Sequence, residues 1–171
     1  MKVLVTAASK HGATGEIATA IGRALAEQAI DVDVTPIEDT PGIDEYDAVV
    51  LGSAVYVGHW LKSATEFVED HAAELAERPV WLFSSGPVGE PPTPVDEPVD
   101  AADMVTVAAA REHRVFPGRL DRSQLGFAER AIVTALHAPE GDYRDWGQIH
   151  DWATGIAESL AEPVGTARSR S

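Results

Sequence analysis

The sequence predicts a three-layer α/β domain on a doubly wound, five-stranded parallel sheet with strand order 2-1-3-4-5. Five short apolar runs alternate with helical patterns, the signature of a parallel sheet with helices on both faces. The chain has 171 residues, enough for one domain with a proper core. Turns rich in glycine and hydroxyls follow the first, third and fourth apolar runs, at the strand ends where such sheets bind ligands.

"KVLVTAA" (2–8) reads as a buried strand. The helix after it, "ATGEIATAIGRALAEQ" (13–28), sets Ile17, Ile21, Ala24 and Leu25 on one stripe. In "DVDVTPI" (31–37), Val32 and Val34 alternate with acids, as on an edge strand. "DAVVLGSAV" (47–55) is a central strand. A helix is expected over 60–77, where Leu61, Ala64, Phe67, Val68, His71 and Leu75 recur at helical spacing. "PVWLFSSG" (79–86) is the fourth strand and "HRVFPG" (113–118) the fifth. Further helices are expected over 99–112, 122–137 and 146–161. Asp145 and Gln148 form a capping box for the last helix, with Trp146 as its anchor to the core. Arg144 is expected to pair with Asp142 at the surface. The domain spans 1–161, and 162–171 is expected to be a frayed tail. The stretch 86–99 holds five of the eleven prolines and reads as a stiff loop after strand 4.

The formal net charge is −15, from 28 acidic residues against 13 Lys plus Arg. That excludes nucleic acid and anionic membrane surfaces, which need a basic patch. An anion bound here needs strictly local attraction. The chain has no cysteine, so disulfides, thiolate chemistry, iron–sulfur clusters and cysteine zinc sites are excluded. No metal site is expected. No apolar run approaches the length of a membrane span, and the first one is too short for a signal peptide, so a cytoplasmic protein is expected.

Three loops meet at the predicted ligand edge. In "SKHGAT", Ser9, Lys10, His11, Gly12, Ala13 and Thr14 offer hydroxyls, an imidazole and backbone N–H groups at a helix start, a ready phosphate site. An ordinary polar turn with Thr14 as N-cap is the plain alternative. A phosphate loop of the G-x-x-x-x-G-K-[ST] kind is absent, and only Gly12 and Gly15 of a dinucleotide fingerprint are present. The second loop carries Val55, Tyr56, Val57, Gly58 and Trp60, and its aromatics suit a flat ring. Trp60 equally suits a staple packed inward, and His59 invites a proton-transfer role, with a solvated surface residue as the plain alternative. The third loop supplies Ser84, Ser85, Gly86, Pro87, Val88 and Gly89, whose hydroxyls and unhindered N–H groups suit the polar edge of a heterocycle. Phosphate on the first loop and a ring between the others describe a mononucleotide, best matched by FMN.

"SKHGAT", "GSAVYVGHWLKSA", "FSSGPVG", "FPGRLD", "FAERAIVTAL" and "GDYRDWGQIHDWA" together resemble the flavodoxin-like FMN-binding superfamily. Within it, they look most like the flavodoxin-domain proteins of the menaquinone-dependent protoporphyrinogen dehydrogenase type. The similarity spans nearly all of residues 2–160. It implies an FMN-dependent oxidoreductase linked to a quinone, a porphyrinogen or another small organic substrate. Ser9, His11, Gly12, Ala13 and Thr14 would hold the phosphate, Val55 to Gly58 would line the isoalloxazine, and Ser84 to Gly89 would cover its other edge. In flavodoxins a glycine peptide by the ring turns its carbonyl to the N5 proton of one-electron-reduced flavin; Gly58 matches that place. The acidic charge and the short loop "HAPEGDYRDW" depart from the basic, membrane-associated surface of the porphyrinogen-oxidising members.

Two other functions remain open: a one-electron carrier between protein partners, and a cofactor-less interaction domain. A phosphoacceptor receiver domain is excluded, because its acidic positions read Ala7-Ala8 and Gly52-Ser53 here.

Overall fold

The computed structural model describes residues 1–86, 98–135 and 140–162. In chain order the elements are β1 (Lys2–Ala8), α1 (Ala13–Glu27), β2 (Asp31–Pro36), β3 (Ala48–Tyr56), β4 (His59–Trp60), α2 (Lys62–Asp70) and α3 (Ala72–Ala76). There follow β5 (Val80–Ser85), α4 (Ala101–Val107), β6 (Glu112–Phe116), β7 (Arg119–Leu120), α5 (Phe127–Ala135), β8 (Gly141–Asp142) and α6 (Trp146–Ala161). The main sheet runs β2-β1-β3-β5-β6, all parallel, which is the expected order 2-1-3-4-5. β2 lies at the edge, as its alternating acids predict.

Burial on both faces explains the unbroken apolar runs. Val3, Val5, Val50, Trp81 and Phe83 point to one side, where α1 and α6 pack. Leu4, Val49, Leu51, Val80 and Leu82 point to the other, against Ala64, Phe67 and Val68 of α2, Leu75 of α3 and Met104 of α4. The stripe Ile17, Ile21, Ala24 and Leu25 of α1 is buried as its spacing predicts. Gly52 is a packing requirement: a Cβ there would stand 2.1 Å from the Phe83 ring.

Several boundaries differ from expectation. The helix over 60–77 is two helices, α2 and α3, parted at His71. The His71 ring stacks on Phe67 at 4.2 Å, and its Nδ1 bonds the Phe67 carbonyl at 2.9 Å, so a side chain competes locally with the backbone ladder. Trp60 lies before that helix, in the two-residue strand β4. The helix over 99–112 shrinks to α4 and ends as Ala109 turns to φ 50°. The helix over 122–137 becomes a 3-10 turn, Arg122–Gln124, followed by α5. β7 and β8 form a separate antiparallel ribbon that local sequence did not announce.

Trp146 is not the anchor of the last helix. It is 44% exposed, with the Arg144 guanidinium 4.5 Å from its ring. Trp152, six residues further along α6 and on its buried stripe, takes that role, edge-on to Phe83 and Phe116 at 6.2 and 5.5 Å. Asp145 does cap α6, its carboxylate accepting the Gln148 N–H at 3.0 Å. Arg144 does pair with Asp142, Nη2 to Oδ2 at 2.6 Å, but with its side chain only 4% exposed. Among the described residues no helix is long and apolar enough to cross a membrane. The frayed tail expected at 162–171 falls, beyond Glu162, outside the described residues.

Candidate functional site

The first loop spans the four residues between β1 and α1. Gly12 is the N-cap of α1 at φ +86°, and no side chain caps the helix. That backbone conformation favours glycine. Ser9 Oγ accepts the Gly12 N–H at 3.0 Å, which sets the turn. The first helical bond runs from the Glu16 N–H to the Gly12 carbonyl at 3.0 Å. The N–H groups of Ala13, Thr14 and Gly15 therefore lead a 15-residue helix whose positive dipole end carries no protein carboxylate as a cap. Among the described residues, nothing beyond its chain neighbours and its own helix backbone stands within 4 Å of where a Gly12 Cβ would be. Thr14 is buried beside it. This donor set fits a phosphate.

The positive charge around this turn is local, as a −15 chain requires. Arg144 donates to the Ala13 carbonyl at 3.3 Å and pairs with Glu16, while Arg119 meets the same Glu16 at 3.2 Å. Hydrogen bonds from Arg144 hold the Asp142 carboxyl below its usual range. Lys10 and His11 both pair with Glu129 of α5, His11 Nε2 at 3.2 Å.

The second loop is a tight hairpin. Val57 at φ 50° and Gly58 at φ 79° turn the chain between β3 and β4, pairing Tyr56 with His59 and Val55 with Trp60. Lys10 Nζ stands 5.2 Å from the centre of the Tyr56 ring, and the His11 ring is 6.3 Å from it edge-on. The first two loops are thus joined at Tyr56. Burial, with the charge of Glu129 as a lesser cause, pushes the Tyr56 phenol up to about 12. The hairpin is fastened to the start of α4. Val99 donates to the Gly58 carbonyl at 2.8 Å, and Asp100 accepts the Trp60 N–H at 3.0 Å and faces His59 Nδ1 at 3.2 Å.

Trp60 points into the core, where its Nε1–H bonds Ser84 Oγ at 2.8 Å. Ser84 Oγ also bonds His113 Nε2 at 2.7 Å, so a buried chain links β4, β5 and β6. In the third loop Ser85 is buried, and Gly86 at φ +118° donates its N–H to the Phe116 carbonyl at 3.0 Å. A Cβ on Gly86 would lie 3.6 Å from Val55, which places the third loop against the second. Pro87, Val88 and Gly89 lie outside the described residues.

Residues 4–146 match the model of the Flavodoxin domain. The chain belongs to the Flavodoxin domain family. It is 27% identical over 180 residues to protoporphyrinogen IX dehydrogenase [quinone] of Escherichia coli K12, covering 96% of this chain and 99% of that one. Among solved structures, a flavodoxin from the domain Archaea superposes with a TM-score of 0.65 at 19% identity, covering 95% of this chain and all of the other. Flavodoxin 1 from Bacillus cereus gives 0.63 at 16% identity, covering 94% of this chain and 100% of its own.

In this flavodoxin-domain chain, the residues singled out from sequence divide in two. Lys10 and His11 of the first loop meet Tyr56 of the second at the C-terminal ends of β1 and β3. Trp60 and Ser84 turn inward and bond each other. Sequence reading missed Glu129, Arg119, Asp100 and His113, and it undervalued Arg144. Each reaches the loops across a large sequence distance, for which local periodicity carries no signal.

Proposed function

We propose that the protein binds FMN and works as an FMN-dependent oxidoreductase, exchanging electrons between a small organic substrate and a quinone. The uncapped, glycine-started N-terminus of α1 beside Tyr56 is the observation that carries this reading. A bound flavin would supply the redox chemistry. Ser9, His11, Gly12, Ala13 and Thr14 would hold its phosphate through backbone N–H groups, hydroxyls and the helix dipole. Val55, Tyr56, Val57 and Gly58 would line one edge of the ring, and Gly86 with the residues after it the other. Trp60 and Ser84 would serve from beneath, by holding the hairpin to the sheet.

Val57, 70% exposed at the tip, and Val99, 68% exposed beside it, would give the ring site an apolar rim that suits a hydrophobic substrate. His59 stands on the same hairpin. With its Nδ1–H donated to Asp100, its Nε2 is left to take a proton from a substrate at the rim. The relative named above is a protoporphyrinogen IX dehydrogenase [quinone], and a porphyrinogen is the substrate to try first. The cytoplasm is the compartment we propose.

The test is turnover without a protein partner. Purified protein reconstituted with FMN should catalyse the oxidation of protoporphyrinogen IX with menadione as the acceptor, which is reduced to menadiol. A protein that holds FMN yet turns over neither, and passes electrons only to another redox protein, is a carrier instead.

A further inference from the structure

α5 sits on the molecule in an unusual way. None of its residues is buried, and Phe127 at its start is 93% exposed. Its local ties are a bond from Arg130 Nε to the Arg122 carbonyl at 3.0 Å and one from the Gly126 N–H to Glu129 at 3.0 Å. Yet Glu129 reaches away from solvent, its side chain only 16% exposed. The carboxylate lies against Lys10 and against His11 Nε2, the two basic side chains of the turn that leads α1. Lys10 and His11 in turn stand against the Tyr56 ring of the hairpin, at 5.2 and 6.3 Å. An anion from the protein itself is thus seated next to the position where the foregoing reading puts the phosphate of FMN.

Two anions cannot share the Lys10 cation without repulsion in a chain already strongly negative. A phosphate dianion has more charge and three acceptor oxygens, and it meets the free N–H groups of α1 as well. Glu129 has one carboxylate and does not cap α1.

We propose that Glu129 is an internal counter-anion that sets the affinity and phosphate selectivity of the first loop. Its carboxylate holds Lys10 and His11 in the flavin-free protein and yields them to a phosphate dianion, which loosens α5. A ligand without phosphate, such as riboflavin, leaves the Glu129 contacts in place. The inference rests on the FMN reading and adds to it a residue from a distant helix.

The experiment compares the full chain with Glu129→Gln, titrated with FMN and separately with riboflavin. Glu129→Gln should bind FMN about fivefold or more tightly than the parent, the scale of a partly exposed ion pair, with riboflavin affinity unchanged. Amide exchange of the parent supplies a second readout that needs no variant: FMN should raise exchange across 127–135, and riboflavin should not. An unchanged or weakened FMN affinity in Glu129→Gln overturns the proposal, as does an equal gain for riboflavin or protection of α5 by FMN. Failure of the parent to bind FMN would overturn the cofactor reading together with this one. FMN binding by the parent with no gain in the variant overturns this one alone.

Discussion

The Gly58 carbonyl accepts the Val99 N–H at 2.8 Å. That bond ties the tip of the hairpin to the start of α4, and Asp100 reinforces it through Trp60 and His59. A carbonyl engaged in this way is not free to turn toward a flavin ring, and turning it would strand the Val99 N–H. The FMN-loaded protein should therefore pass from oxidised to fully reduced flavin with little one-electron form between. An anaerobic reductive titration followed by absorbance measures this. Strong accumulation of the blue one-electron form would show that the bond gives way and would favour a carrier.

Ser84 is fully buried and its hydroxyl serves both Trp60 and His113. Ser84→Ala leaves the indole N–H without its acceptor and should cost about 1–3 kcal/mol of stability. Urea denaturation followed by tryptophan fluorescence reads that loss. FMN affinity measured under native conditions should change little, because the hydroxyl is turned away from the loop edge. A large loss of affinity with intact stability would instead put Ser84 on the ligand.

Arg144 links Asp142 to the first turn of α1, and its hydrogen bonds lower the Asp142 carboxyl from the ordinary value of 3.8. A depressed folded-state value stabilises the fold above the unfolded-state value and loses that stabilisation as pH falls through the folded one. The stability gap between the parent and Asp142→Asn should be constant near neutral pH and close as the solution is acidified below about pH 4. Denaturant midpoints at pH 7 and pH 3 test the sign. A gap that widens on acidification contradicts it.

The five parallel strands were legible because both sheet faces are buried, which leaves runs such as Val3 to Val5 and Val80 to Leu82 apolar throughout. The first loop was legible because glycine and hydroxyls directly follow the strand. Aromatic placement was not. Trp146 and Trp152 lie on the same helix, and spacing alone did not tell which one meets Phe116. Trp60 fitted a ring facing the ligand as well as an inward staple until its bond to Ser84 fixed its direction. Glu129 gave no signal within the helix expected over 122–137, since its partners Lys10 and His11 lie far away in sequence. The β7–β8 ribbon is likewise a long-range pairing of two-residue strands with no period of their own.

Whether a phosphate is held at the start of α1 is decided by titrating the flavin-free protein and its Ser9→Ala/Thr14→Ala variant with FMN and with riboflavin, following flavin fluorescence. The account predicts that the parent binds FMN at one site and that the double variant loses about tenfold or more in FMN affinity, the weight of one or two charge-assisted hydrogen bonds, with riboflavin unaffected. Equal FMN affinity in parent and variant would contradict it.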